Sequence, residues 1–200
     1  AARRIPAGDA HVRSGAWASR GPMPLTTRVW GKRLGIVGLG RIGRAVARRA
    51  GGFGMVVAYS GRTRQADVDL PWHADPVSLA RESDMLMVCT AGGAGTRGLI
   101  GAAVLDALGP QGILVNIARG SVVDEAALLH ALRTGGIAAA GLDVFLGEPC
   151  IDEAFLTLEN VVLQPHHASG TVETLAAMGA LVRENLVAHF AGRPLPTPVV

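Results

Sequence analysis

The chain has 200 residues, of which 49% are hydrophobic and 27 are glycine, and it carries a formal net charge of +3 with a pI of about 9.5. This composition is typical of a globular α/β protein and excludes a disordered chain. The basic residues are scattered in runs no longer than a pair, which argues against binding to nucleic acid.

No apolar run approaches the roughly 18 residues that a membrane span requires. The two cysteines, Cys89 and Cys150, are far apart and form no metal-binding or redox motif. We therefore expect no metal site and no membrane association, and we predict a reducing, cytoplasmic compartment.

Strands and helices are predicted to alternate along the chain. A broken helical pattern over residues 2–17 leads into a Pro/Gly stretch at 21–24. Strands are then predicted at 33–37, 55–59, 84–88, 112–116, 137–142 and 160–163, and helices at 41–53, 76–82, 101–108, 124–134 and 172–191. Apolar strands separated by helices indicate an α/β fold with a doubly wound parallel sheet.

A nucleotide-binding turn is predicted between the first strand and the helix that follows it, in the sequence LGIVGLGRIG. Gly38 permits a tight turn, Gly40 lets the backbone approach a pyrophosphate, and Gly43 lets the helix pack closely on the strand. The helix N-terminus offers N–H groups and a positive dipole to phosphates. A glycine-rich turn without a ligand is the alternative.

The end of the second predicted strand discriminates between cofactors. NAD-binding domains place an acidic residue about 20 positions after the glycine motif, where it binds the ribose 2′-hydroxyl. Here Ser60 is followed by Arg62 and Arg64, and the first acid is Asp67. A 2′-phosphate would suit Ser60 and either arginine, although both arginines could instead be solvated loop residues. We predict NADP(H) as the preferred cofactor, with NAD(H) as the second option.

Arg119, Glu148 and His166 each follow one of the last three predicted strands. Ligands of open α/β sheets bind at the carboxyl ends of the strands, so the three side chains can converge on one crevice. Arg119 can bind a carboxylate and polarise a carbonyl oxygen, His166 can donate a proton to it, and Glu148 can stabilise the imidazolium. These roles suit reduction of a 2-oxo acid. Each residue also has a purely structural alternative, which their joint placement disfavours.

Five stretches resemble the D-2-hydroxyacid dehydrogenase family, namely LTTRVWGKRLGIVGLGRIG, NIARGSVVDE, AGLDVFLGEP, NVVLQPHHASGTVET and NLVAHFAGRPLPTPVV. Within it they are most similar to the NADPH-dependent glyoxylate/hydroxypyruvate and hydroxyphenylpyruvate reductases. The resemblance implies a Rossmann-type domain in an oxidoreductase that transfers hydride between NADP(H) and C2 of a small 2-oxo acid. It implies that Arg119 binds substrate, that Glu148 is the acidic partner and that His166 is the proton donor.

The resemblance also implies which residues contact the cofactor. They are Leu39, Gly40, Arg41 and Ile42 at the pyrophosphate, Ser60, Arg62 and Thr63 at the adenosine ribose, and Ile117, Ala118 and Asp143 beside the nicotinamide. Two features depart from the family pattern. The stretch CTAGGAGTRGLI lacks a proline often found after the third strand, and His167 adds a second imidazole beside the expected donor.

The resemblance implies a domain organisation as well. Residues 1–168 correspond to the NAD(P)-binding domain, led by a helix and linker at 1–24. Residues 169–200 correspond to a helix and tail that pack on a substrate domain, which this chain does not contain. A homodimer through the cofactor domain is implied, with Trp17 reaching the partner chain.

Two alternative functions remain. The first is a dinucleotide-sensing binding protein or corepressor-like member of the same fold, which the retained Arg, Glu and His disfavour. The second is a formate dehydrogenase-like member. It is disfavoured because in enzymes of that kind an amide side chain pairs with the histidine, whereas this sequence has Glu148.

Overall fold

A computed structural model describes residues 1–198 and divides the chain into two compact units, one ending at His166 and one beginning at His167. The predicted C-terminal tail therefore has its last two residues outside the described part. No helix within residues 1–198 has the length and apolar character that crossing a bilayer would require.

The first unit is built on one parallel sheet of seven strands in the order β3-β2-β1-β4-β5-β6-β7. The strands are β1 (Arg33–Val37), β2 (Val56–Ser60), β3 (Trp72–His73), β4 (Met85–Val88), β5 (Ile113–Asn116), β6 (Ala139–Leu142) and β7 (Val161–Leu163). This arrangement confirms the predicted doubly wound α/β fold. The sequence interpretation missed β3, a two-residue edge strand that pairs with the end of β2.

Helices connect the strands and frame the sheet. They are α1 (Ile5–Arg13), α2 (Ala16–Arg20), α3 (Arg41–Gly52), α4 (Pro76–Arg81), α5 (Ala102–Leu108) and α6 (Glu125–Thr134), while α7 (Val172–Phe190) belongs to the second unit. Asp75 and Asp124 begin α4 and α6 as N-caps, accepting hydrogen bonds from Ser78 N–H at 2.9 Å and Ala127 N–H at 3.1 Å. These caps explain why the two predicted helix starts agree with the structure to within a residue.

The sheet separates two hydrophobic clusters, so each central strand is buried on both faces. In β1, Leu34 and Ile36 pack in one cluster and Val37 in the other. In β4, Met85 and Leu86 divide in the same way. Side chains of a strand alternate between its faces, and burial of both faces accounts for the unbroken apolar runs in the sequence.

Strand β1 pairs with β2 on one side and with β4 on the other. The strand order therefore reverses between β1 and β4, and the crevice beyond their carboxyl ends is where open α/β sheets bind ligands. Val37 and Val88 mark these two strand ends, and they pair in register.

The second unit consists of α7 and the segment after it. Thr171 is the N-cap of α7, where its Oγ1 accepts the Thr174 N–H at 3.1 Å. Asn185 ties the following segment to the helix, because its Nδ2 donates to Thr197 Oγ1 at 2.9 Å and its Oδ1 accepts the Thr197 N–H at 3.3 Å.

Candidate active site

The glycine turn after β1 has a distinct physical requirement at each of its three glycines. Gly38 has a φ of 94°, and an added Cβ would lie 2.7 Å from Thr90 Cα. A Cβ at Gly43 would overlap the carbonyl oxygen of Gly38, so the glycine allows α3 to meet β1. A Cβ at Gly40 would meet nothing within 4 Å, which leaves open space beside the turn for a ligand.

Helix α3 begins directly at this turn, with Gly40 as its N-cap. In the described structure no side chain caps this end, and the first turn contains no acidic residue. The backbone N–H groups and the helix dipole therefore present positive potential. Arg41 and Ile42, the first residues of the helix, line a cleft of about 910 Å³. This end of α3 fits a pyrophosphate.

A second cleft of about 640 Å³ extends from the same turn to the end of β2. Ser60, which is buried, lines it together with the exposed Arg62 and Thr63. Arg64 is exposed but does not contribute to the lining. Of the two arginines that the sequence offered for a 2′-phosphate, the structure places Arg62 at the cleft.

Arg119 lies in a turn after β5 that Asn116 fixes. The buried Asn116 side chain accepts the Ala118 N–H at 3.0 Å and donates to the Arg119 carbonyl at 3.1 Å. The Arg119 side chain packs over Gly92, where an added Cβ would lie 2.7 Å from its Cγ. Its Nη1 donates to the Ala118 carbonyl at 2.6 Å. The guanidinium is thus held close to its own turn, at the wall of the 910 Å³ cleft.

His166 and Glu148 form a hydrogen-bonded pair, with 2.7 Å between His166 Nδ1 and Glu148 Oε2. The other Glu148 oxygen accepts the Phe145 N–H at 2.7 Å. These bonds, the one to His166 first, lower the pKa of Glu148 despite an opposing effect of burial. A proton on Nδ1 then points to the carboxylate and leaves Nε2 as the nitrogen for proton transfer.

The backbone of His166 adopts the left-handed region, with a φ of 52°. A residue with a Cβ rarely takes this conformation, and where it does the surrounding structure holds it there. The bond to Glu148 is one such restraint. The side chain is directed by this strained turn and by the carboxylate together.

The structure brings most of the predicted residues to this one edge of the sheet. Glu148, Arg119, Ala118, Ile117, Ile42, Arg41 and Gly40 line the 910 Å³ cleft. His166 lines an adjoining cavity of about 360 Å³, which shares Phe145 and Glu148 with that cleft. Leu39 and Gly38 line the 640 Å³ cleft.

Two predicted residues take other positions. Gly43 is buried in the contact between α3 and β1. Asp143 is buried after β6, where its N–H donates to the Asn116 carbonyl at 3.0 Å, and within the described chain it lines neither cleft. His167 begins the second unit. In the described residues, no group of three or more His, Cys, Asp or Glu side chains is arranged to hold a metal.

Several lining residues escaped the sequence interpretation. Among them, Thr90, Ala91 and Gly92 lie after β4 and line both large clefts, as does the preceding Cys89. The signal that would have identified them is their position: they come directly after the apolar run MLMVC, at the strand end next to the point of reversal. Gly92 in particular is required by its contact with Arg119, which sequence spacing alone does not reveal.

Comparisons with known proteins agree with this geometry. Residues 1–168 match the family model described as D-isomer specific 2-hydroxyacid dehydrogenase, NAD binding domain. The chain is 50% identical over 198 residues to hydroxyphenylpyruvate reductase of Plectranthus scutellarioides, covering 99% of this chain and 63% of that protein. It is 48% identical over 198 residues to a glyoxylate/hydroxypyruvate reductase of Arabidopsis thaliana, with the same coverage.

Solved structures give a similar result. A 2-hydroxyacid dehydrogenase from Ketogulonicigenium vulgare superposes with a TM-score of 0.94 at 52% identity, covering 100% of this chain and 63% of that one. An NADPH-dependent glyoxylate/hydroxypyruvate reductase from Sinorhizobium meliloti, in complex with NADP and malonate, gives a TM-score of 0.95 at 45% identity, covering 99% and 62%. The chain thus spans about 63% of the length of the curated relatives named here.

Proposed function

Since the chain belongs to the D-isomer-specific 2-hydroxyacid dehydrogenase family, we propose that it is the cofactor-binding part of an NADP(H)-dependent oxidoreductase. The proposed reaction transfers hydride between NADP(H) and C2 of a small 2-oxo or 2-hydroxy acid. The names of its relatives, reductases of glyoxylate, hydroxypyruvate and hydroxyphenylpyruvate, support this substrate class.

The observation that carries the proposal is the 2.7 Å pair of His166 and Glu148 beside the cleft that Arg119 lines. A proton donor, a carboxylate that stabilises its charged form and a fixed cation form a set that suits carbonyl reduction. A protein that only senses dinucleotides has no use for the donor. This pair therefore favours an enzyme over a sensor.

The residues present fit the cofactor. The open side of Gly40 and the N-terminus of α3 suit the pyrophosphate, while Ser60, Arg62 and Thr63 suit the adenosine ribose with its 2′-phosphate. When bound, NADPH would supply the hydride that C2 receives. The buried Asp143 and the turn at 117–118 are the proposed nicotinamide-side residues.

The remaining steps belong to side chains of this chain. Arg119 binds the substrate carboxylate and stabilises negative charge as it develops on the carbonyl oxygen. His166 gives its proton to that oxygen, which yields the hydroxyl group. Glu148 holds the imidazole ring in place through Nδ1 and stabilises its positive charge before transfer. In the oxidative direction the same groups act in reverse.

Cofactor preference is tested on the complete protein that carries this sequence. Arg62→Ala should weaken NADPH binding far more than NADH binding, because a charge-assisted contact to a phosphate contributes about 1.5–3 kcal/mol. Arg64→Ala is the matched control, since Arg64 does not line the cleft. Both affinities are measured by fluorescence titration. Equal affinities in the unsubstituted protein, or tighter binding of NADH, would contradict the proposed preference.

The proposed assembly is a homodimer through the leading segment. All residues of α1 and α2 are at least partly exposed, and Trp17 is 62% exposed. Ile5 and Val12 of α1 are also exposed, and exposed apolar side chains of this kind suit an isologous contact between two copies. Sedimentation of the complete protein should give a dimer, and Trp17→Ser should shift it towards monomer. A monomer at all concentrations would overturn this assignment.

Two further assignments complete the proposal. Residues 169–200, with α7, are proposed to pack on a substrate domain of the whole protein, as the family resemblance implies. The proposed compartment is the cytoplasm, which the two free cysteines support. Burial raises the pKa of the Cys89 thiol to about 11, so this group stays neutral and unreactive there.

A further inference from the structure

The loop at 61–64, which carries Arg62, is attached to the glycine turn at both of its ends. At the start, the Gly38 N–H donates to the carbonyl of Ser60 at 2.9 Å. Directly after the loop, Gln65 contacts the glycine turn, where its Nε2 donates to the Leu39 carbonyl at 2.9 Å. Leu39 is the residue between the first two glycines of the turn, so Gln65 links the loop directly to the proposed pyrophosphate site.

Two further groups of Gln65 also form hydrogen bonds. Its backbone N–H donates to the hydroxyl of Tyr59 at 2.7 Å, and Tyr59 is fully buried. Its Oε1 accepts a hydrogen bond from Arg44 of α3. An acceptor facing a guanidinium and a donor facing a carbonyl fix the orientation of the amide. The side chain therefore bridges the end of the loop, the glycine turn and α3.

Arg44 is itself held by a bidentate ion pair with Asp67, at 2.8 and 3.0 Å. The hydrogen bond to Arg44 lowers the pKa of Asp67, which stays ionised and paired. The first acid after β2 thus neutralises an arginine of α3. This pairing holds Arg44 where it meets Gln65.

We propose that Gln65 is a positioning residue for cofactor selection, because it fixes the distance between the glycine turn and Arg62. This inference rests on the proposed use of NADP(H). The pyrophosphate and the 2′-phosphate of one nucleotide are joined through a ribose, so their sites must keep a constant separation. Arg62, Thr63 and Arg64 are exposed, so burial does not hold them, while Trp72 Nε1 donates to the Gly61 carbonyl at the start of the loop at 3.2 Å. A loop already held in the binding geometry loses less conformational entropy when the ligand binds.

The test is Gln65→Met, which keeps the length of the side chain and removes its hydrogen bonds. Gln111→Met, the same change in an exposed turn before β5, is the matched control. In the complete protein, Gln65→Met should weaken NADPH binding by about 3- to 10-fold and NADH binding by less than about 2-fold. Amide hydrogen exchange at 61–64 should rise in the same variant without any cofactor. Gln111→Met should change neither quantity.

A double-mutant cycle separates positioning from general stability. With Arg62→Ala already in place, Gln65→Met should cause no further loss of preference for NADPH. Equal weakening of both cofactors, or unchanged exchange at 61–64, would overturn the role of Gln65 while the NADP(H) function stands. If the unsubstituted protein shows no preference for NADPH and Arg62→Ala changes nothing, the proposed cofactor is wrong and the role of Gln65 falls with it.

Discussion

Glu148→Gln removes a charge from the proposed active site with almost no change in size. Both oxygens of Glu148 are in use, one by the Phe145 N–H and one by His166 Nδ1, each at 2.7 Å. A glutamine has only one acceptor oxygen. In the variant one of the two partners faces an amide nitrogen instead of a carboxylate oxygen, and the negative charge beside the imidazole is lost in either case.

The size of the effect follows from the geometry of the pair. A hydrogen bond to a charged group contributes about 1.5–3 kcal/mol. The side chains of His166 and Glu148 are 45% and 32% exposed, so screening by solvent places the value at the lower end. The carboxylate stabilises the protonated imidazole, so its removal should move the alkaline fall of the reduction rate to lower pH.

The measurement is kcat/KM for glyoxylate with NADPH, followed across neutral and alkaline pH in the complete protein. Because the pKa of Glu148 is lowered, this carboxyl stays ionised there and its own titration does not enter. Glu125→Gln is the matched control, since Glu125 accepts the neighbouring Leu146 N–H at 2.6 Å. An unchanged profile in Glu148→Gln, or a shift to higher pH, would refute the role assigned to the carboxylate.

Three further substitutions have definite expected outcomes. His166→Ala should lower the reduction rate by roughly 10²–10⁴ with NADPH affinity nearly unchanged, and His167→Ala should lower it far less. Gly92→Ala should displace the Arg119 side chain and raise KM for the oxo acid by about 10-fold. Asp84→Asn should lower the free energy of unfolding by about 1–2 kcal/mol in urea titrations, because Asp84 accepts both the backbone N–H and the guanidinium of the first residue of β1.

Each of these substitutions has a comparison that isolates its cause. If His167→Ala lowers the reduction rate more than His166→Ala does, the proton donor is His167 and not His166. Gly95→Ala changes the same loop where an added Cβ meets nothing within 4 Å, so an equal rise in KM would contradict displacement of the arginine. Asp106→Asn removes an exposed charge from α5 and should leave stability nearly unchanged.

The stability contributed by Asp84 should also depend on pH. Burial alone would raise the pKa of Asp84, but its hydrogen bonds with Arg33 outweigh burial and lower it below 3.8. A carboxyl with a lowered folded pKa stabilises the fold fully above its unfolded pKa and loses this effect as pH falls through the folded value. The difference in free energy of unfolding between wild type and Asp84→Asn should therefore shrink only in strong acid. A difference that disappears near neutral pH would contradict this account.

Most of the sheet could be predicted because its strands are apolar runs between helices. Six of the seven strands were identified, with ends that differ from the structure by two residues at most. Strand β3 was missed because Trp72–His73 is too short to show any period, and it forms only through pairing with Tyr59 and Ser60. A strand of this kind is defined by its neighbour rather than by its own sequence.

The site was predicted in part, and the division has a physical cause. Arg119, Glu148 and His166 could be identified because each follows a strand, and strand ends converge in a parallel sheet. Gly92 and Gln65 could not, because their roles depend on contacts with residues 21 or more positions away. Sequence patterns report local periodicity and turn chemistry, whereas these contacts arise only when the loops fold over one another.

The contacts between loops also explain how the acid–base pair keeps its geometry without lying on a strand or helix. A Cβ at Gly120 would overlap the backbone of Phe145, so the turn after β5 packs directly on the loop after β6. Two carboxylates then hold that loop, Glu125 through the Leu146 N–H and Glu148 through the Phe145 N–H. Glu148 is therefore both a part of the restraint and the group that orients the histidine. Because a misplacement of about 1 Å can cost 100-fold in rate, a loop fixed at consecutive backbone N–H groups is a physical requirement of the proposed chemistry.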